Sequence, residues 1–146
     1  MESPKSFPLI TLLRDVRFVT VQFVPRRTAP EFANALKQVI NLYLRAGFTC
    51  QTALMDGKFE KVKDTVLDQI VINTTANNEH VAEIESKIRH VKEKRRCTMA
   101  DMRFSSLPNS VIKALVIHAV MFINAFLDKQ GISQALSLVN WFCDGN

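Results

Sequence analysis

The run VRFVTVQFV, residues 16 to 24, sets the first constraint on the fold. It is rich in β-branched and aromatic residues and alternates with a period of two. Val16, Phe18, Thr20, Gln22 and Val24 fall on one side, and Arg17, Val19, Val21 and Phe23 on the other. Such a period builds a strand, because successive side chains leave opposite faces of a pleated backbone. A second apolar run, LITLL at residues 9 to 13, precedes it across the charged link Arg14-Asp15. Two strand-like runs with so short a link predict an antiparallel hairpin.

The next segment changes period. PRRTAPEF predicts a helix start, with Thr28 as cap, Pro30 in the first turn and Glu31 completing a capping box. Phe32, Leu36, Val39, Ile40 and Tyr43 then recur at helical spacing, and Gly47 is a natural stop. FTCQTALM, residues 48 to 55, reads as a strand apolar on both sides, the pattern of a central position. After a charged, helix-like stretch, DQIVINTT reads as another short strand. NNEHVAEIESKIRHVKEKRR follows as a helix with Val81, Ile84, Ile88 and Val91 on one face. Ser110 is positioned to cap an apolar helix from about 111 to 128, and Gly131 helps to end that segment. The expected order is strand, strand, helix, strand, short helix, short strand, helix, helix. A mixed sheet with helices packed against it satisfies this order, and no linker-like composition divides the 146 residues, so one domain over 1–146 is expected.

Composition narrows the classes. With 47% hydrophobic and 23% charged residues and only four glycines and five prolines, the chain is neither disordered nor of low complexity. A formal net charge of +5 favours a polyanionic partner. Cys50, Cys97 and Cys143 are far apart and form no C-x-x-C pair, which fits a reducing intracellular compartment. The N-terminal apolar run is interrupted by Arg14 and Asp15 and does not make a signal peptide. The stretch from Val111 to Leu127 approaches the length of a membrane span but carries Lys113, His118 and Asn124, so a buried core helix is expected and no membrane partner.

Two places carry candidate chemistry. Asp56 ends the apolar strand at its carboxyl edge, with Gly57 allowing a sharp turn. It is either a turn-forming aspartate or a carboxylate presented to a cleft at the sheet edge. The helix around residues 79–96 has Glu83 and Glu85 early, with Glu85 on the flank of the apolar stripe. Its bases come later: Lys87, Arg89, Lys92, Lys94, Arg95 and Arg96, against the single acid Glu93. That gradient complements the helix dipole without any ligand. Six bases in ten residues exceed what the dipole requires, and on a duplex they would supply phosphate contacts. His80, His90 and Cys97 lack zinc-ligand spacing, and there is no glycine-rich phosphate loop.

Taken in order, these segments resemble the integrase core of copia-type retrotransposons over about residues 9–132, with a divergent tail at 133–146. RAGFTCQTALMDGKFEKVKD and EHVAEIESKIRHVKEK carry most of the likeness. The resemblance implies a ribonuclease H-like α/β fold, a mixed sheet with flanking helices. It also implies an Asp, Asp, Glu triad that binds two Mg²⁺ or Mn²⁺ ions, hard cations that take oxygen ligands. Asp56 matches the second acid, with Lys58 departing from the acid often found before Phe59. Glu85 matches the third, with Ser86 in place of the usual arginine and Glu83 as the alternative. The strand bearing the first acid is expected upstream of Met1, so the first strand is missing here and the triad is incomplete.

The resulting expectation is an integrase-like remnant of a retrotransposon. It would bind DNA through non-specific phosphate contacts, hold metal weakly through Asp56 and Glu85, and be defective as a polynucleotidyl transferase. It would be intracellular, nuclear or cytoplasmic, with a homodimer among its expected partners. The alternative is a non-catalytic dimerisation or protein-interaction module built on the apolar C-terminal helix.

Overall fold

The computed structural model describes residues 6–55, 59–66, 70–74, 79–104 and 106–126. Its elements follow the expected order: β1 (Phe7–Leu13), β2 (Phe18–Val24), α1 (Ala29–Arg45), β3 (Thr52–Met55), α2 (Glu60–Val66), β4 (Val71–Thr74), α3 (Glu79–Ala100) and α4 (Asn109–Ala125). Among the described residues the strands form two two-stranded sheets, β1 with β2 and β3 with β4. The chain divides into two compact units, Ser6–Leu9 with Gln22–Ile84, and Ile10–Val21 with the described part of Glu85–Asn146.

β1 and β2 are joined by a four-residue turn, too short for a parallel crossover, so the hairpin is antiparallel. Arg17 N–H donates to the Arg14 carbonyl at 3.2 Å, and Arg17 adopts φ 58° to send the chain back. Val16, read from the alternation as part of the strand, lies in this turn and is fully buried there. Val19 and Thr20 are both buried, so the two faces of β2 are both covered at that level.

α1 is held by its apolar face: Ala33, Ala35, Leu36, Val39, Ile40 and Tyr43 are buried. The expected capping box is not formed. Thr28 is the N-cap in extended conformation, but its hydroxyl makes no capping bond, and its carbonyl accepts the Phe32 N–H at 3.1 Å. Pro30 explains this in part: it stands at the second helical position, where a capping side chain would otherwise find an N–H. The other end closes as a Schellman motif. Phe48 N–H donates to Tyr43 O at 2.9 Å and Gly47 N–H to Leu44 O at 3.0 Å, with Gly47 at φ 84°.

β3 and β4 are parallel, pairing Thr52 with Val71, Ala53 with Ile72, Leu54 with Asn73 and Met55 with Thr74, and α2 lies between them in sequence. The strand expected over residues 48–55 is shorter, and one of its faces is open, because Thr52 and Leu54 are exposed opposite the core-facing Ala53 and Met55. The core beneath gathers Ala33, Leu36 and Ile40 of α1, Val62 of α2, and Ile70 and Ile72 at β4. Phe32 and Phe59 pack against it edge to face, with ring centroids 5.0 Å apart. Each large aliphatic side chain buried this way contributes about 1.5–3 kcal/mol.

In the other unit the buried residues are Val16, Val19 and Thr20 of the hairpin, Val91 of α3, and Leu115, Val116, Ala119, Val120 and Asn124 of α4. α4 begins at Asn109 with Pro108 as N-cap, whose carbonyl accepts the Ile112 N–H at 3.1 Å. Ser110, expected as the cap, therefore sits inside the first turn. Among the described residues no helix is long and apolar enough to cross a membrane.

Candidate nucleic-acid interface

α3 forms over 22 residues because apolar side chains recur along one side while charges fill the rest. Val91 is buried and Ile84 and Ile88 are half-buried, which fixes the inner side of the helix. Its C-terminal end is secured by Asp101 N–H donating to Cys97 O and by Thr98 Oγ1 donating to Lys94 O at 3.0 Å.

That inner side sorts the six bases into two groups. Arg89, Lys92 and Arg96 are exposed, whereas Lys87, Lys94 and Arg95 are half-buried. Lys94 Nζ lies 3.6 Å from the centroid of the Phe122 ring of α4, an attraction between a cation and the negative face of an aromatic. The Arg95 Nε is buried without a hydrogen-bond partner. Of the six bases, Arg89, Lys92 and Arg96 are thus the most open to a partner, and Lys87, Lys94 and Arg95 are less so.

The three exposed bases share a line with an acid. Glu85, Arg89, Lys92 and Arg96 are spaced i, i+4, i+7 and i+11, which places them on one stripe of the helix about 16.5 Å long. All four are exposed. Arg103, three residues past the helix, is exposed as well and was not singled out in the sequence. Glu83 is half-buried and engaged with a neighbour. The stripe can meet an extended polyanion with its cations while Glu85 sits at one end, where a carboxylate would approach whatever the cations hold.

Asp56 directly follows β3 in sequence and lies outside the described residues. Among the described residues, no three His, Cys, Asp or Glu side chains gather where they could hold a metal ion. Glu85 stands at the end of a stripe whose other members, Arg89, Lys92 and Arg96, are cations. The described donors therefore do not make a site for a pair of ions that each need several oxygen ligands.

No family model matches the sequence, and no curated protein matches it. Among solved structures the chain is similar to the catalytic core domain of BIV integrase, with a TM-score of 0.60 and 15% identity over 99% of this chain and 90% of that one. The fold is that of an integrase core. At 15% identity the likeness concerns architecture, the ribonuclease H-like mixture of small sheets and helices. Within this integrase-like fold the chemistry has to be argued from the chain's own side chains, because fold alone does not assign activity.

Proposed function

We propose that this integrase-like chain is a retrotransposon-derived, copia-type domain that binds DNA through its phosphates and lacks strand transfer. The observation that carries the proposal is the exposed α3 stripe, Arg89, Lys92 and Arg96 in line with Glu85. The fold likeness and the two segments resembling copia-type cores support it from independent directions. Residues 1–146 act in this proposal as one domain, found inside the cell in the nucleus or cytoplasm.

The three cations neutralise backbone phosphates, which positions a duplex without reading its bases. Asp56 and Glu85 are the proposed metal ligands for Mg²⁺ or Mn²⁺. Two carboxylates supply too few oxygens to hold two such ions, so metal binding is weak and residues 1–146 alone do not carry strand transfer.

Anisotropy of labelled duplex DNA tests the binding. Charge reversal of Arg89 and Lys92 is expected to weaken affinity alike on unrelated sequences, whereas loss confined to one sequence contradicts phosphate-only contact. A strand-transfer and nicking assay with Mn²⁺ tests the rest. No activity is expected, and robust activity abolished by Asp56→Asn overturns the proposed incompetence. An alternative role as a dimerisation or protein-interaction module predicts no salt-sensitive DNA binding at all.

A further inference from the structure

The exposed link between β2 and α1 ends in a threonine whose hydroxyl has no task in the fold. Pro25, Arg26, Arg27 and Thr28 are all exposed. Thr28 has extended backbone, with φ −111° and ψ 152°, and its side chain makes no capping bond. Its carbonyl, not its hydroxyl, serves the helix by accepting the Phe32 N–H at 3.1 Å. A threonine at this position ordinarily satisfies an amide of the first turn and is thereby occupied. Here Pro30 stands in that turn without an N–H to offer, so the uncapped start of α1 frays at small cost.

Two cations stand directly before this hydroxyl. Arg26 and Arg27 occupy the second and first positions ahead of Thr28. The Arg27 guanidinium lies 4.1 Å from the centroid of the Phe7 ring in β1, which ties the link down, and Arg26 is exposed beside it. An enzyme that modifies a hydroxyl within a chain takes the segment extended and pairs flanking cations with its own carboxylates. A second threonine shows what the structure adds to this pattern. Arg95, Arg96 and Cys97 precede Thr98, so Thr98 also has an arginine two residues ahead. Yet Thr98 lies within α3, is half-buried, and its Oγ1 donates to the Lys94 carbonyl at 3.0 Å. Presenting Thr98 in extended form breaks helical turns, whereas presenting Thr28 needs only the fraying start of α1.

We propose that Thr28 is a phosphorylation site for a protein kinase that selects arginine ahead of its acceptor. In the transfer, Thr28 Oγ1 attacks the terminal phosphorus of a nucleoside triphosphate and forms a new O–P bond. The bond from that phosphorus to the bridging oxygen breaks, the nucleoside diphosphate leaves, and the hydroxyl proton passes to the kinase's carboxylate base. The product carries about −1.5 to −2 of charge at the start of α1, in a chain whose formal net charge is +5. This assignment does not depend on DNA binding.

The test uses the folded full chain carrying Ser105→Ala, which removes a further acceptor two residues after Arg103. It is incubated with ATP and the catalytic subunit of cyclic-AMP-dependent protein kinase, which selects arginine two residues before its acceptor. Modified sites are read by peptide mass over time. Phosphate is expected at Thr28, arriving several-fold faster than at Thr98. Thr28→Val is expected to remove it. Arg26→Ala, at an exposed position, is expected to slow it several-fold while far-ultraviolet circular dichroism stays unchanged. The proposal is overturned if Thr28 stays unmodified, or if Thr98 reacts as fast as Thr28 in the folded chain. An unchanged rate at Thr28 in Arg26→Ala overturns it equally.

Discussion

The side-chain amide of Asn124 in α4 holds the backbone of Val19 in β2 from both sides of one peptide neighbourhood. Its Nδ2 donates to the Val19 carbonyl at 2.7 Å, and its Oδ1 accepts the Val19 N–H at 2.9 Å. Asn124 is 4% and Val19 0% exposed, so neither backbone group has water as a substitute. An amide presents one donor and one acceptor side by side, which is what a neighbouring strand would have offered. The pair therefore fastens a helix to a strand edge across 105 residues of sequence.

Replacing Asn124 by Ala should cost about 3 kcal/mol, since two buried backbone groups lose their partners and each is worth about 1–3 kcal/mol. The expected observation is a lower midpoint of urea unfolding at unchanged slope. Asn124→Asp adds a pH signature. Burial and the Val19 carbonyl both favour the neutral carboxyl, so its folded pKa is raised above the unfolded value. The variant's stability is then greatest below the ordinary carboxylate range and falls as pH rises through the folded pKa. A stability profile parallel to that of the parent protein would contradict this account.

Gly47 should be replaceable only at a cost set by the backbone. An added Cβ there meets no atom within 4 Å, so no clash contributes. The left-handed φ of 84° alone should make Gly47→Ala destabilising by about 1 kcal/mol. Gly47→Asn should lose less, because asparagine visits that region more readily. Urea midpoints of the two variants check the order.

The cysteines should differ in reactivity. Cys97 is exposed on α3, whereas Cys50 is half-buried against the core. Burial pushes the Cys50 thiol above its ordinary pKa, which lowers its thiolate fraction at neutral pH. Iodoacetamide followed by peptide mapping should show Cys97 modified well before Cys50. Equal rates would mean that the core around β3 opens easily.

The order and type of every described element were legible in the sequence because period is local: two for β2, about 3.6 for α1 and α3. What escaped depends on partners distant in the chain. Asn124 read only as a polar residue arguing against a membrane span, since nothing in residues 111 to 127 points to Val19. Thr28 and Ser110 looked like caps by residue type, but Pro30 and Pro108 changed which groups were present at those helix starts. The run from Lys87 to Arg96 read as six bases against one acid, and only packing of α3 and α4 separates Lys94, over Phe122, from the exposed Lys92. The length of β3 was overread because FTCQTALM is apolar throughout, while ladder pairing extends only over Thr52–Met55.

The dependence of duplex DNA affinity on salt tests the α3 stripe most directly. Three exposed cations releasing counterions at a slope of about −0.9 each predict a log–log slope near −2.7. Simultaneous reversal of Arg89, Lys92 and Arg96 to glutamate should abolish that dependence together with binding. No detectable binding at low salt, or a slope that survives the triple reversal, would contradict the role assigned to α3.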